Sequence, residues 1–374
     1  MIEEISAWTI PYTEPNDHGS TRYVSICRVL DTSGVAGWGE AVTISHEAAQ
    51  ATTEFIRSIA PHLRGVTAQP AALNIAMQKR GWWYSHGGGV SGFARAALDT
   101  AIWDLLARSL DAPLTQVLGG VAHPAGLPTI VTTHAMLADI DEQCAQFAFW
   151  VDEFGAAGVK VGFGKPGDAN LGFDEDRDVQ FVGALRKALG NKAKIMIDIS
   201  PLVRWSTPEA IQRVKKFAQH GVHWIEEPLG AHNPGGYERL ASATDVLIAY
   251  GEREWDFAGM ARILDSGTLD VLGIDTGRAG GITDFLAAAK YAEAKQRQVN
   301  AHAFAGPISY AAGLACSLVS PNALQFEVAP LRNSLLANIT PDLPLPHEGR
   351  VAALPGPGLG IEIDANLISA LAES

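Results

Sequence analysis

From residue 158 onward, seven short apolar runs each end close to an ionisable residue. These residues are Lys160, Asp198, Glu226, Glu252, Asp275, His302 and Glu327. One such residue at the end of a run is ordinarily a helix cap or a surface charge. From Asp198 onward, however, they follow one another at steps of 28, 26, 23, 27 and 25 residues. Each step is close to the length of one unit of a strand and a helix. This repetition predicts one site to which successive units each contribute a chemical group.

Three of the seven are carboxylates on consecutive units, Asp198, Glu226 and Glu252. Brought together without a counter-charge, three carboxylates would repel and raise one another's pKa. A divalent cation removes that conflict. Ligation by oxygen alone, with no Cys or His nearby, favours Mg²⁺ over Zn²⁺. The sequence therefore predicts one Mg²⁺ in each subunit.

Asp275 and His302 come next along the chain and are suited to moving a proton. An Asp within reach of a His fixes the tautomer of the ring and supports its cationic form, which makes a general base. His302 taken alone would more often be a core histidine bonded to the backbone. Its place between a predicted metal site and an acid favours the catalytic interpretation.

The elements that position these residues can be predicted from the patterning. Residues 1 to about 50 alternate like antiparallel strands, and about 47 to 110 have a helical period. After the Gly119–Gly120 pair, from about 127 to 328, eight apolar runs alternate with helical stretches. This is the pattern and size of a β/α barrel, whose chemistry belongs at the C-terminal ends of the strands.

The predicted fold class is thus α/β, a TIM-type barrel of seven to eight β/α units with an N-terminal α+β capping domain. We expect the capping domain to span residues 1–125 and the barrel 126–335. The C-terminal segment, 336–374, is expected to pack back on the capping domain.

Composition limits the partners and the compartment. The 374 residues carry a net charge of −13, from 28 basic and 41 acidic residues, which argues against nucleic acid or an anionic membrane as partner. The cysteines, Cys27, Cys144 and Cys316, are widely spaced and fit reduced core residues. The N-terminus has no basic leader, and no apolar run reaches the length of a membrane span. We expect a cytoplasmic protein.

Several motifs together resemble the enolase superfamily, and within it the mandelate racemase subgroup. GWGE at 37–40, ALDTAIWDLLAR at 97–108 and PLTQVLGG at 113–120 are similar to its capping domain and first crossover. HWIEEPL at 223–229 and YGE at 250–252 are similar to the strands with the second and third metal ligands. In DTGRAGGIT, Asp275 stands where the muconate lactonizing subgroup would have a lysine, and NAHAF supplies His302.

The resemblance implies a reaction as well as a fold. It implies Mg²⁺-dependent removal of the proton alpha to a carboxylate through an enediolate, with Glu327, from QFEV, hydrogen-bonding the developing enediolate. It also implies a small carboxylate substrate and a homo-oligomer, since even-numbered assemblies are common in the family.

The stretch GVKVGFG at 158–164 departs from the subgroup's KxK pattern. Lys160 takes the first lysine position and Gly162 the second, while Lys165 lies beyond the strand. The missing lysine argues against racemisation by two bases and favours dehydration of an acid sugar, aldonic or aldaric, to a 2-keto-3-deoxy acid. The alternatives are a racemase or epimerase that uses Lys160 or water as second acid, and a non-catalytic carboxylate-binding relative.

The resemblance also implies that two loops of the capping domain, 13–22 and 81–92, recognise the substrate. The candidate residues, which could bind a polyol chain, are His18, Arg22, Trp82, Tyr84 and His86. The aromatic cluster could instead pack on the barrel mouth. GGGVSG at 87–92 matches GxGxxG but follows no apolar strand, so it is interpreted as a lid element rather than a dinucleotide site. His134 and His232 could bind substrate or be solvent-facing loop histidines.

Overall fold

Three long antiparallel strands form the N-terminal sheet. The computed structural model describes residues 1–84, 88–165 and 169–373. Strands β1 (Ile2–Glu14), β2 (Ser20–Asp31) and β3 (Ala36–Ile44) pair in the order β1-β2-β3. A 3₁₀ turn, Pro15–Asp17, connects the first two strands. This sheet confirms the strand pattern predicted for the first 50 residues.

Helices cover one face of this sheet. They are α1 (His46–Leu63), α2 (Pro70–Arg80), α3 (Val90–Ser109) and the short α4 (Leu114–Val117). The glycines of the GWGE motif allow α3 to approach β3 closely. A Cβ at Gly37 would collide with the carbonyl oxygen of Ala101, and one at Gly39 with that of Ala97. The motif therefore has a packing role at this contact.

Eight parallel strands form the second sheet, which curls into the predicted barrel. They are β4 (Leu127–His134), β5 (Gly158–Phe163), β6 (Lys194–Ile199), β7 (Trp224–Glu226), β8 (Leu247–Tyr250), β9 (Val271–Asp275), β10 (Gln298–His302) and β11 (Phe326–Val328). Their order is β10-β9-β8-β7-β6-β5-β4-β11. A parallel bridge between Val299 and Ala323 joins β10 to the residues before β11, which brings the two ends of the sheet together.

A helix follows each of the first seven barrel strands. These helices are α5 (Ile140–Phe154), α6 (Glu175–Leu189), α7 (Thr207–Ala218), α8 (Pro234–Ala241), α9 (Phe257–Ser266), α10 (Gly281–Ala294) and α11 (Pro307–Val319). Side-chain caps begin several of them, and α7 starts with a full capping box between Ser206 and Glu209. Neighbouring helices such as α5 and α6 pack together around the sheet.

The barrel interior is filled. Five buried side chains, one each from β4, β6, β7, β8 and β9, form a cluster, and they are Ile130, Met196, Trp224, Ala249 and Val271. Because side chains close the interior, the polar chemistry is confined to the ends of the strands.

The last part of the chain contacts both units. It contains α12 (Ser334–Ile339), β12 (Arg350–Val351), which pairs with β4, and α13 (Ala365–Glu373), which packs on β1. Arg108 of α3 donates to the carbonyl oxygen of Ile361. The return of this segment to the N-terminal sheet matches the sequence-based expectation, while the boundaries at 125 and 335 stay predictions. Within the described residues, no helix is long and apolar enough to cross a membrane.

Candidate active site

The three predicted metal ligands lie at the C-terminal ends of adjacent strands. Asp198 is the penultimate residue of β6 and pairs in register with Glu226, the last residue of β7. Glu252 lies two residues beyond the end of β8, after Gly251, whose φ of +126° favours glycine. One carboxylate oxygen from each of the three lies within 4.8 Å of the others.

The environment of these carboxylates fits a hard divalent cation. Burial raises the pKa of Glu226 well above its ordinary value; Lys160 opposes this rise, whereas the charges of Asp198 and Glu252 add to it. Oε2 of Glu252 is buried and has no hydrogen-bond partner among the described residues. A carboxylate oxygen left without a donor, in a set of oxygen ligands only, suits Mg²⁺.

Lys160 lies beneath the same cluster and is 2% exposed. Its Nζ is 3.0 Å from Oε2 of Glu226, 3.0 Å from Oε1 of Glu327 and 3.2 Å from Oδ2 of Asp198. Burial acts to lower the pKa of Lys160, but the surrounding carboxylates outweigh it and raise the pKa well above the ordinary value. The lysine is therefore a fixed positive charge in this structure.

His302 and Asp275 form the predicted pair. They are the last residues of β10 and β9 and lie opposite each other in the parallel register. Nδ1 of His302 is 2.8 Å from Oδ2 of Asp275, and Nε2 is 3.9 Å from Oε2 of Glu252. Burial acts to lower the pKa of His302, but the charge of Glu252 and the hydrogen bond with Asp275 raise it to about 10. The imidazole thus stands beside the carboxylate cluster with Nδ1 held by Asp275.

Glu327 lies on the other side of His302, on β11, and it is buried. Its Oε1 accepts a hydrogen bond of 2.6 Å from Nδ2 of Asn300, besides its contact with Lys160. Sequence reasoning missed Asn300. Its position two residues before His302 on the same strand, hence on the same face, was the available signal.

Sequence reasoning also missed Glu227, the acidic residue that follows Glu226, as part of the site. Glu227 has a left-handed backbone, with φ of 46°, and its carboxylate forms an ion pair with Arg253. Burial raises the pKa of Glu227 to about 8, and the charge of Glu252 acts in the same direction. Backbone strain of this kind in a non-glycine residue is typical of functional sites.

The GWGE motif joins the capping domain to the segment after His302. Oε1 of Glu40 accepts a hydrogen bond of 2.7 Å from the backbone N–H of Gly306, which caps α11. A Cβ at Gly306 would collide with the Glu40 carboxylate. Burial raises the pKa of Glu40 to about 7, although the hydrogen bonds from Gly306 and Ser309 act to lower it. The capping domain therefore helps to position the turn that follows the His302 strand.

The site opens into a cavity of about 340 Å³. Its walls include six of the seven strand-end residues, all but Glu226, together with Arg22, His134, Gly162, Lys165 and Ser200. His134 is the last residue of β4, so it is not a loop histidine. Lys165, which lies beyond the end of β5, forms an ion pair: its Nζ is 2.7 Å from Oδ1 of Asp17.

The candidate residues of the two predicted substrate loops lie in different parts of the structure. Arg22 lines the cavity and pairs with Oδ2 of Asp17 at 2.7 Å. His18 is exposed at the end of the 3₁₀ turn, and it does not line the cavity walls formed by the described residues. Trp82 and Tyr84 line a different cavity, of about 510 Å³, between α1, α2 and α9. None of these three is among the described residues that line the cavity beside His302, and their contact with the substrate stays a prediction.

Two glycines of the second predicted loop pack against an aromatic side chain. A Cβ at Gly88 would collide with the indole of Trp255, and one at Gly92 would lie 2.9 Å from it. These two glycines thus have a packing role against Trp255, in addition to the lid role predicted from the sequence. His86, the remaining candidate in this loop, lies outside the described residues.

The cluster of Asp17, Arg22 and Lys165 predicts a pH-dependent contribution to stability. Burial acts to raise the pKa of Asp17, but the hydrogen bonds from Lys165 and Arg22 outweigh it and hold the pKa well below the usual value. An unfolded Asp has a pKa of about 3.9. The pairing therefore stabilises the fold above about pH 4, and the effect is lost as pH falls further.

We expect Asp17→Asn to lower the free energy of unfolding by about 2 kcal/mol at pH 7. The difference from the unsubstituted protein should shrink at pH 3, because Asp17 then begins to take up a proton in the unfolded chain. Urea unfolding of both proteins at the two pH values measures this. A difference that is equal at pH 7 and pH 3 would contradict the assignment.

Comparison with known proteins agrees with this architecture. Residues 142–367 match the family described as enolase C-terminal domain-like, and residues 8–119 match the N-terminal domain of mandelate racemase and muconate lactonizing enzyme. The chain is 31% identical to a D-galactonate dehydratase of Ralstonia nicotianae over 91% of this chain and 89% of the relative. Since dehydratases are lyases, the chain is related to lyases over most of its length.

Two solved structures are similar along almost the whole chain. One is the 3,6-anhydro-D-galactonate cycloisomerase from Zobellia galactanivorans, with TM-score 0.85 and 25% identity over 99% of each chain. The other is an enolase from Bradyrhizobium in complex with magnesium and mandelic acid, with TM-score 0.84 and 25% identity over 99% of this chain and 97% of that one. Both domains of this chain therefore belong to the mandelate racemase and muconate lactonizing enzyme family of the enolase superfamily.

Proposed function

We propose that the protein is a Mg²⁺-dependent lyase that dehydrates an acid sugar to a 2-keto-3-deoxy acid. The observation that carries this proposal is the one-sided arrangement of the site. A His302–Asp275 pair faces the cavity, whereas the second-lysine position on β5 is Gly162. The relative named D-galactonate dehydratase supports an aldonic acid as the substrate class.

Asp198, Glu226 and Glu252 would hold the cation. When bound, Mg²⁺ draws negative charge from a substrate carboxylate and so acidifies the neighbouring C–H bond. The donor set and the unpartnered oxygen of Glu252 support this assignment. Lys160, whose charge is fixed by its buried carboxylate neighbours, is placed to attract the same carboxylate.

His302 is assigned to the proton transfer. Because Asp275 accepts from Nδ1, Nε2 is the nitrogen that exchanges a proton with substrate. The ring acts as base in its neutral form, which requires the charge of Glu252, the largest cause of the raised pKa of His302, to be offset, as a cation held by Glu252 would do. The neutral ring takes the α-proton, and the C–H electrons form an enediolate. The C–O bond at the β-carbon then breaks, and the hydroxyl leaves as water with a proton returned from His302. The resulting enol tautomerises to the 2-keto acid, so the net change is loss of one water.

Glu327 is assigned to the developing enediolate, to which its carboxyl group would donate a hydrogen bond through a proton on the oxygen that does not contact Lys160 and Asn300. A hydrogen bond that strengthens as charge develops lowers the barrier. Its carboxylate lies 3.0 Å from Lys160 and 2.6 Å from Asn300, which fixes its position.

A substrate screen tests the proposal. Purified protein is stripped with EDTA, supplied with MgCl₂ and incubated with a panel of aldonic and aldaric acids in D₂O. Formation of a 2-keto-3-deoxy acid by at least one member, dependent on added Mg²⁺, is the expected result.

Two other outcomes would overturn dehydration in favour of the alternatives. Inversion at the α-carbon with solvent deuterium and no keto acid would identify a racemase or epimerase. Binding of an acid with no exchange of its α-proton would identify a non-catalytic carboxylate-binding protein. Equal turnover with and without EDTA would remove the cation from the proposal.

A further inference from the structure

The second-lysine position is occupied in space by a side chain from the neighbouring strand. His134 ends β4 and lies opposite Gly162 of β5 in the parallel register. A Cβ built on Gly162 would collide with Nδ1 of the His134 ring and would lie 2.6 Å from its Cε1 and 3.3 Å from its Cγ. The imidazole thus lies across the end of β5, where a side chain at position 162 would begin.

The backbone conformation does not require a glycine here. The φ angle of Gly162 is outside the left-handed region, so an L side chain could adopt this conformation. The nearest atoms to the added Cβ all belong to His134. The glycine at position 162 is therefore accounted for by the ring that crosses it.

The ring is oriented by one of its nitrogens. Nδ1 of His134 lies 3.4 Å from the carbonyl oxygen of Gly162, and a carbonyl can only accept a hydrogen bond. Nδ1 therefore carries the proton, and Nε2 carries the lone pair. Nε2 has no hydrogen-bond partner within residues 1–84, 88–165 and 169–373. Burial lowers the pKa of His134 to about 4, and the charge of Lys165 acts in the same direction, so the ring is neutral at pH 7.

The neutral side-chain acceptors in the walls of this cavity are His134 and the hydroxyls of Thr132, Thr133 and Ser200, and of these only Nε2 of His134 accepts without also donating. The basic residues of the cavity donate hydrogen bonds, and they are Arg22, Lys160, Lys165, Arg253 and Arg278. The carboxylates of the site are assigned to the cation, to Lys160 or to His302. A sugar acid carries several hydroxyls, each of which loses a hydrogen bond to water unless the protein accepts one.

We propose that Nε2 of His134 accepts a hydrogen bond from a substrate hydroxyl beyond the α-carbon and so makes the site selective for polyhydroxy acids. This inference rests on the proposed function, because it concerns the same substrate class. In this proposal, the His134 ring, which lies where the missing lysine would begin, binds the substrate.

Binding measurements in a non-turnover background test the proposal. In protein carrying His302→Asn, calorimetry with MgCl₂ gives Kd for D-galactonate, D-gluconate and D-mannonate, and for L-lactate, which lacks the distal hydroxyls. Adding His134→Leu should weaken the tightest-binding aldonate about tenfold and change the lactate Kd much less. His134→Gln, which keeps an acceptor, should recover part of the loss.

Two further variants separate recognition from general damage to the fold. Gly162→Ala keeps His134 but displaces its ring, so it should produce the same selective loss of aldonate affinity. His232→Leu removes an exposed histidine outside the cavity walls and should change neither Kd. Equal aldonate affinity with and without His134→Leu would overturn the inference while leaving the proposed function intact. If neither these aldonates nor any aldaric acid of the screening panel binds the His302→Asn protein, the proposed function fails, and this inference fails with it.

Discussion

His302→Asn is expected to lower the rate of α-proton exchange and of keto-acid formation by about 1000-fold or more. A positioned general base contributes about 10²–10⁴-fold, and here the same group is also assigned to return the proton to the leaving hydroxyl. Asn preserves a polar side chain of similar reach beside Asp275 but cannot transfer the proton. Rates measured by NMR in D₂O, on the acid that the screen identifies, give the effect.

This substitution should leave the predicted cation site in place. The increase in Tm on adding MgCl₂ should be similar in the variant and in the unsubstituted protein, since all three carboxylates remain. His232→Asn serves as the matched control and should retain the full rate. An His302→Asn protein that exchanges the α-proton normally would remove the base assignment.

Lys160→Met is expected to cause a large loss of stability in the protein without a bound cation. The substitution keeps much of the volume but leaves Glu226 and Glu327 buried without their nearest positive charge. Removing one partner of a buried ion pair typically costs about 3–5 kcal/mol. Urea unfolding in EDTA should show a loss of this size. With MgCl₂ present, turnover should fall at least about 100-fold.

Magnesium should restore part of the lost stability in this variant, because a bound cation would supply positive charge to the same carboxylates. Lys165→Met is the matched control, since that lysine pairs with Asp17 at a partly exposed position and should cost about 1 kcal/mol or less. If Lys160→Met were as stable as the unsubstituted protein in EDTA, the carboxylates would have to be neutralised in another way.

The barrel and the centre of the site could be predicted because few physical rules determine them. Parallel strands end at the same edge of a sheet, so the regular steps from Asp198 to Glu327 place one group from each unit at that edge. The pairing of Asp275 with His302 follows from adjacent strands in register. These positions depend on strand order and spacing, which the sequence encodes locally.

Other contacts depend on how side chains and loops pack, and they could not be predicted. The overlap of the His134 ring with Gly162 requires both the register of β4 with β5 and one ring orientation. The placement of Trp82 and Tyr84 in a separate cavity is determined by the packing of α1 and α2 against α9. Composition gave these aromatic residues a plausible role in binding but carried no information on which cavity they face.

The overlap between positions 134 and 162 also constrains how this site could have diverged from relatives with two lysines on the second strand. A lysine at 162 cannot fit while His134 keeps its place, and a small residue at 134 without a new group at 162 leaves an empty space. Each single step is therefore expected to be unfavourable, and the two positions should change together during evolution. In homologous sequences, an imidazole at the first position should accompany glycine at the second, and a lysine at the second should accompany a smaller residue at the first.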